Sequence, residues 1–329
     1  MTLRRSRLAV VVGASALAAS GFVPMTLAAT HAGAATARLN TMCGKRASAP
    51  KYKHVIVIAE ENHSFGSISG SSNAPYINSV MAACGLATNF HSITHNSLPN
   101  YLALAFGGTI RQLGPYVNDC EPAACSSLLS STNIFNQLSK KGWMSYQESM
   151  PSKCSRTSSG NYAPKHNPAL YFSDLKASCA AHDVSLGIPF GSPLLRAFSK
   201  EKTAPAFSFV TPNLCNDMHD CSVRTGDDWL KTWLPLITST AVYKANDTAV
   251  FVVWDEGEPA STGENCATNA SDQSCHVVAM VIAPSVIPGT KVATSFSHYS
   301  VLKTAEDLLG VAELGGAKSA ASMVKGFNL

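Results

Sequence analysis

Four short apolar runs limit what this chain can fold into. His54-Val-Ile-Val-Ile-Ala59, Phe207–Val210, Val250–Trp254 and Val277–Ala283 are rich in β-branched and aromatic residues, and only Ser208 places a polar side chain inside one of them. A strand with one wet face alternates, so continuous runs of this length point to strands covered on both faces. Helical spacing fills the intervals at Tyr76–Ala83, near 132–140, at Asp227–Ile237 and at Tyr299–Leu309. In Asp227–Ile237 the residues Trp229, Leu230, Trp233 and Leu234 fall on one side. Pro99 suits the first turn of a further helix through Tyr101–Phe106. Buried strands alternating with helices predict an α/β fold, a three-layer αβα sandwich around a mostly parallel sheet. The chain has no internal repeat and no Pro/Gly linker between equal halves, so residues 38–329 read as a single domain.

The first 37 residues carry a different pattern. Arg4, Arg5 and Arg7 precede an apolar run from Leu8 to Ala29, and Ala35-Thr36-Ala37 offers small residues in an A-x-A arrangement. Together these predict a secretory signal peptide cleaved after Ala37 and a protein secreted from the cell. Gly13, Gly21 and Pro24 interrupt the run, and no later segment reaches the ~20 apolar residues of a membrane span. All ten cysteines follow the signal, an even number that suits an exported, disulfide-bonded chain. Sequence proximity offers Cys120–Cys125, Cys215–Cys221 and Cys266–Cys275 as short loops, with Cys154–Cys179 and Cys43–Cys84 as longer ones. Connectivity stays open at this stage. There is no C-x-x-C knuckle to suggest a structural zinc site.

Charge narrows the function classes. The net charge of +4 comes from 25 basic and 21 acidic residues. Three of the arginines belong to the signal, so the remainder is close to neutral. With no basic cluster, a nucleic-acid partner is not expected. An apolar fraction of 46% with 14% charged residues excludes disordered and fibrous classes.

Chemistry gathers where the strands end, the edge at which open α/β sheets bind ligands. His54–Ala59 runs into Glu60-Glu61-Asn62-His63-Ser64, and Val250–Trp254 into Asp255-Glu256-Gly257. Phe207–Val210 leads toward Asp217-Met218-His219-Asp220. A fourth polar cluster, His95-Asn96-Ser97-Leu98-Pro99-Asn100-Tyr101, stands at the start of a predicted helix, where free backbone N–H groups favour an anion. Each piece has an ordinary explanation: a serine before proline is often a cap, acidic residues after a strand often a solvated turn. Their joint occurrence suggests an oxygen-rich site for a divalent cation beside a hydroxyl.

Glu61–Phe65, His95–Tyr101, Lys165-His166-Asn167-Pro168, Asn213–Gly226, Trp254-Asp255-Glu256 and Ser297–Ser300 occur in an order that resembles one family. It is that of the secreted bacterial phosphoesterases, acid phosphatases and phosphatidylinositol phosphatases within the alkaline-phosphatase superfamily. The resemblance runs from about His54 to about Gly315. It implies an alkaline-phosphatase-like fold and a phosphomonoester substrate, either a small molecule or a phosphoinositide headgroup. It further implies one divalent metal cation of unknown identity, held by Glu61, Asn62, Asp255 and Glu256 with Ser97 also bound to it. Ser97 then matches the nucleophile, which forms a phosphoserine. His166 or His219 would protonate the leaving group, and His298, Asn100 and His95 would contact substrate. Residue 96 is Asn where the family commonly has Pro. Two alternatives remain at this stage: a phospholipase C-type phosphodiesterase using the same site, and a non-catalytic exported binding module.

Overall fold

The structure is a computed structural model that describes residues 42–125, 129–258, 262–267 and 271–329. The predicted signal segment, residues 1–37, lies outside the described residues. Among the described residues there are ten strands: β1 (His54–Glu60), β2 (Gly85–Ala87), β3 (Phe90–His91), β4 (Trp143–Gln147), β5 (Asp183–Ser185), β6 (Phe207–Thr211), β7 (Thr248–Trp254), β8 (Ala279–Ile282), β9 (Thr290–Val292) and β10 (Phe296–Ser297). Eight of them form one sheet in the order β5-β4-β6-β1-β7-β8-β2-β9, and β10 and β3 pair separately. Every pairing in the large sheet is parallel except those of β8, which runs antiparallel to β7 and β2.

The continuous apolar runs explain the centre of this sheet. All seven residues of β1 and all seven of β7 are buried, so both faces of each strand are covered. The longer helices are α1 (Pro75–Ala83), α2 (Ser97–Phe106), α3 (Val223–Thr238) and α4 (His298–Leu309). Helix α1 packs on α3 and α2 on α4, which gives the three-layer α/β architecture. Trp229, Leu230, Trp233 and Leu234 are buried along α3 as their spacing requires.

Helix α2 is the exception to amphipathicity, since all ten of its residues are buried. Its amino end has no side-chain cap from Asn96. Asp119, 21 residues further on, accepts from the Leu98 N–H at 2.9 Å instead. Its carboxyl end stops at Gly107, whose left-handed φ of 66° and closeness to the Leu314 carbonyl exclude a Cβ.

One local expectation changes: the helical pattern near 132–140 shrinks to Ile134–Gln137, residues 138–141 form a turn, and strand β4 starts at Trp143. The helix through Tyr101–Phe106 begins at Ser97, with Pro99 in its first turn as expected. Within the Val277–Ala283 run, Ala279–Ile282 forms the expected buried strand, antiparallel to β7 and β2. The cysteines pair as Cys43–Cys84, Cys120–Cys125, Cys154–Cys179, Cys215–Cys221 and Cys266–Cys275, the five pairs that proximity suggested.

Candidate active site

Topology brings the polar strand ends together. Strand β1 lies between β6 and β7 and is parallel to both, so the residues following all three emerge at one edge. Glu61 follows β1, Asp255 and Glu256 follow β7, and Asp217 arrives from the loop after β6. Two backbone bonds hold these loops in register: Asp255 N–H donates to Glu60 O at 2.9 Å, and Glu61 N–H to Asp217 O at 2.9 Å.

Ser97, the first residue of α2, points into this group. Its Oγ stands 3.0 Å from Glu61 Oε2 and 3.2 Å from Glu256 Oε1, and the residue is almost fully buried. Asp255 Oδ1 accepts the backbone N–H groups of Asn62 (3.2 Å) and Glu256 (2.6 Å). Asn62 itself takes a left-handed conformation, with φ at 53°. On the far side of Glu61, His166 places Nε2 3.2 Å from Glu61 Oε1 and Nδ1 3.4 Å from Asp217 Oδ2. Tyr101 stacks on the His166 ring at 5.0 Å with the planes 8° apart. His219 follows, its ring centroid 5.6 Å from that of His166. Asp220 Oδ1 lies 2.6 Å from His219 Nδ1, Lys165 Nζ lies 3.3 Å from His219 Nε2, and Lys165 also donates to Asp119 at 2.9 Å.

The electrostatics suit a cation. Four buried carboxyl groups, Glu61, Asp217, Asp255 and Glu256, share this space with Lys165. Burial pushes Glu61 well above the usual carboxylate range, and the charges of Asp255 and Asp217 push it further. Asp255 rises through burial and then through Glu256, and Asp217 through burial and then through Asp255. Glu256 is pushed up to about 8, mainly by burial. Glu61 Oε1, Asp217 Oδ2, Asp255 Oδ2 and His166 Nε2 are all buried without a hydrogen-bond partner. Buried charge without a partner is costly, and oxygen and imidazole donors aimed at one space are what a divalent ion binds. Glu61, His166 and His219 each offer a ligand atom within 4.8 Å of the others.

Several residues expected at the substrate turn out to be committed to the protein. Asn100 spends its whole amide on the backbone: Oδ1 accepts from Ile93 and Thr94, and Nδ2 donates to Thr94 O at 2.7 Å and Asn96 O at 3.1 Å. It holds the loop that carries Ser97. His95 is fully buried, with Nδ1 against Glu256 Oε2 and Nε2 3.2 Å from Ser274 Oγ, so it orients the carboxylate. His298 begins α4 beneath the end of β7, with Nε2 3.1 Å from Trp254 O and Phe90 edge-on to its ring. Burial lowers it to about 4, so it is neutral. His166 is likewise held well below the ordinary histidine range by burial, then by Lys165 and His219. As a neutral, sealed imidazole it is a poor proton donor, which leaves His219, with a quarter of its side chain exposed, nearer to solvent. Asp119 and Ser274 carry no signal in the sequence, and Tyr101 and Lys165 only their places in motifs.

A profile described as the Phosphoesterase family matches residues 71–312. The chain belongs to this family. It is 34% identical over 313 residues to a phosphatidylinositol-3-phosphatase of Mycobacterium tuberculosis, covering 93% of this chain and 91% of that one. It is 30% identical over 243 residues to an acid phosphatase of Aspergillus fumigatus, covering 70% of this chain and 49% of the fungal enzyme. In three dimensions it resembles a protein in the alkaline phosphatase superfamily from Vibrio parahaemolyticus. That match has a TM-score of 0.54 at 14% identity and covers 86% of this chain and 74% of the other. This family member is a hydrolase acting on phosphoric ester bonds, and the binding-module alternative is set aside. Among the described residues, no helix is long and apolar enough to cross a membrane.

Proposed function

We propose that the protein is an exported, metal-dependent phosphomonoesterase of acid-phosphatase type, with Ser97 as nucleophile and phosphatidylinositol phosphates among its substrates. The placement of Ser97 Oγ between Glu61 and Glu256, at the amino end of a buried helix, carries this reading. A divalent cation held by Glu61, Asn62, Asp255 and Glu256 would neutralise the carboxylates and polarise a phosphoryl oxygen.

The chain's own groups supply the rest. Ser97 Oγ forms a bond to phosphorus as its proton passes to Glu61 or Glu256, both within hydrogen-bonding reach. The bond from phosphorus to the leaving oxygen breaks, and that oxygen takes a proton from His219, whose Nδ1 lies 2.6 Å from Asp220 Oδ1. Water then cleaves the phosphoserine. Lys165 stands near the same edge and attracts the phosphoryl charge. The phosphoinositide substrate is supported by likeness over nearly the full length of a phosphatidylinositol-3-phosphatase.

The test is phosphate release from p-nitrophenyl phosphate and from phosphatidylinositol 3-phosphate, with bis-p-nitrophenyl phosphate as the diester control, each with and without chelator. Monoester turnover that the chelator abolishes is expected, with Ser97→Ala lowering kcat by at least ~10³-fold. Full activity in Ser97→Ala would refute the covalent step, and faster diester turnover would favour the phospholipase C-type alternative.

A further inference from the structure

The edge of the sheet opposite the candidate active site carries a second cluster of donors. His54 opens β1, Asp247 immediately precedes β7, and Glu201 begins a short 3₁₀ turn that leads into β6. These are the same three central strands whose other ends hold Glu61, Asp255 and Asp217. Glu61 stands seven positions beyond His54 along the chain, roughly 20 Å at strand rise.

The cluster is built around a bare nitrogen. His54 Nδ1 lies 2.8 Å from the Pro205 carbonyl, which can only accept, so Nδ1 donates there and Nε2 is the ring nitrogen left for another partner. Nε2 is buried without a hydrogen-bond partner, in a residue only 5% exposed. It faces Glu201 Oε2 at 3.6 Å. Asp247 Oδ1, buried as well, also lacks a partner. One ligand atom from each of His54, Glu201 and Asp247 lies within 4.8 Å of the other two.

Lys53 does not fill this gap. Its Nζ takes Glu201 Oε1 and Asp247 Oδ2, each at 2.8 Å, while Glu201 Oε2 faces His54 and Asp247 Oδ1 stays without a partner. Two carboxylates against one lysine leave an excess negative charge beside the imidazole. A backbone carbonyl holding the far ring nitrogen is the arrangement that metal-bound histidines ordinarily have.

We propose that His54, Glu201 and Asp247 form a second divalent-cation site, of zinc-binding character, that ties together the amino ends of β1, β6 and β7. One nitrogen and two carboxylate oxygens suit zinc, with water completing a tetrahedral shell. Tetrahedral ligands at zinc distances sit about 3.4 Å apart, close to the observed 3.6 Å between Nε2 and Oε2. A cleft of about 780 Å³ has Lys53 and His54 in its wall.

The test strips the full-length mature protein with chelator, dialyses it against zinc, and measures zinc per chain together with the zinc-dependent rise in Tm. Glu201→Gln is the deciding variant, because Glu201 is half exposed and its loss does not disturb the core. His54→Gln, at a buried position beside Phe198, is the second. The wild type is expected to hold one more zinc per chain than Glu201→Gln, to bind it at least ~100-fold tighter, and to show a larger zinc-dependent rise in Tm. Phosphate release stays within twofold of wild type in Glu201→Gln, since the site lies away from the catalytic edge. Equal zinc content in the two proteins would overturn the proposal and leave a protonated His54 paired with Glu201.

Discussion

Removing divalent cations should make this protein less stable as the pH rises from 5 to 8. The reason lies in Glu256. Its carboxyl is pushed up to about 8 by burial, against 4.5 for an exposed glutamate. Between those values the folded protein holds a proton that the unfolded chain has released, so raising the pH favours unfolding. The stability is fully present below 4.5 and is lost as the pH climbs through the folded value. Each pH unit costs about 1.4 kcal/mol, so the window from 4.5 to 8 costs at most ~5 kcal/mol. At ~2 °C per kcal/mol for a chain of this size, Tm should fall by about 10 °C. Glu61, Asp217 and Asp255 are displaced in the same direction and add to the slope. A bound cation takes the place of those protons, so metal should stabilise strongly at pH 8 and little at pH 5. The assay is a thermal melt in chelator across this range, repeated with added metal and with Glu256→Gln. The variant should flatten the slope by one proton. A chelated wild type whose Tm is flat or rises from pH 5 to 8 would refute the reasoning, as would equal metal stabilisation at both ends.

Other consequences follow from single contacts. Asn100→Ala removes four hydrogen bonds to the loop before Ser97 and should cost about 2–4 kcal/mol, with kcat falling more than KM changes, measured by denaturant melts and steady-state kinetics. Lys165→Met should raise KM for a monoester more than tenfold, while inhibition by inorganic phosphate weakens in parallel. Replacing both members of the Cys43–Cys84 pair with serine opens a loop of 41 residues, which the chain-entropy relation values at about 4 kcal/mol in urea unfolding.

Strand β1 shows how the chain announces itself. His54-Val-Ile-Val-Ile-Ala needs no partner to be read as a buried strand, because an unbroken β-branched run is unsuited to a wet face. The same holds for β7 and for the apolar stripe of α3. The acidic pairs after β1 and β7 and the serine before α2 were legible as chemistry because they sit where open α/β sheets bind ligands. Strand β4 was not legible, since Trp-Met-Ser-Tyr-Gln has neither period and is made a strand by pairing with β6.

Roles within the site divide along the same line. Sequence alone determined the buried strands, the α/β class and the polar residues that follow the strands. Local pattern suffices there, since burial and side-chain chemistry belong to each segment. Which groups face the reacting space was decided only by tertiary structure. Asn100, His95 and His298 lie next to candidate site residues in sequence, yet Asn100 bonds backbone, His95 bonds Glu256 and His298 Nε2 meets Trp254 O. Asp119 and Lys165, 46 residues apart, meet to cap α2 and flank His219. The same packing gathered His54, Glu201 and Asp247 at the opposite edge. Such choices depend on the order of strands in the sheet, which no window of the sequence contains.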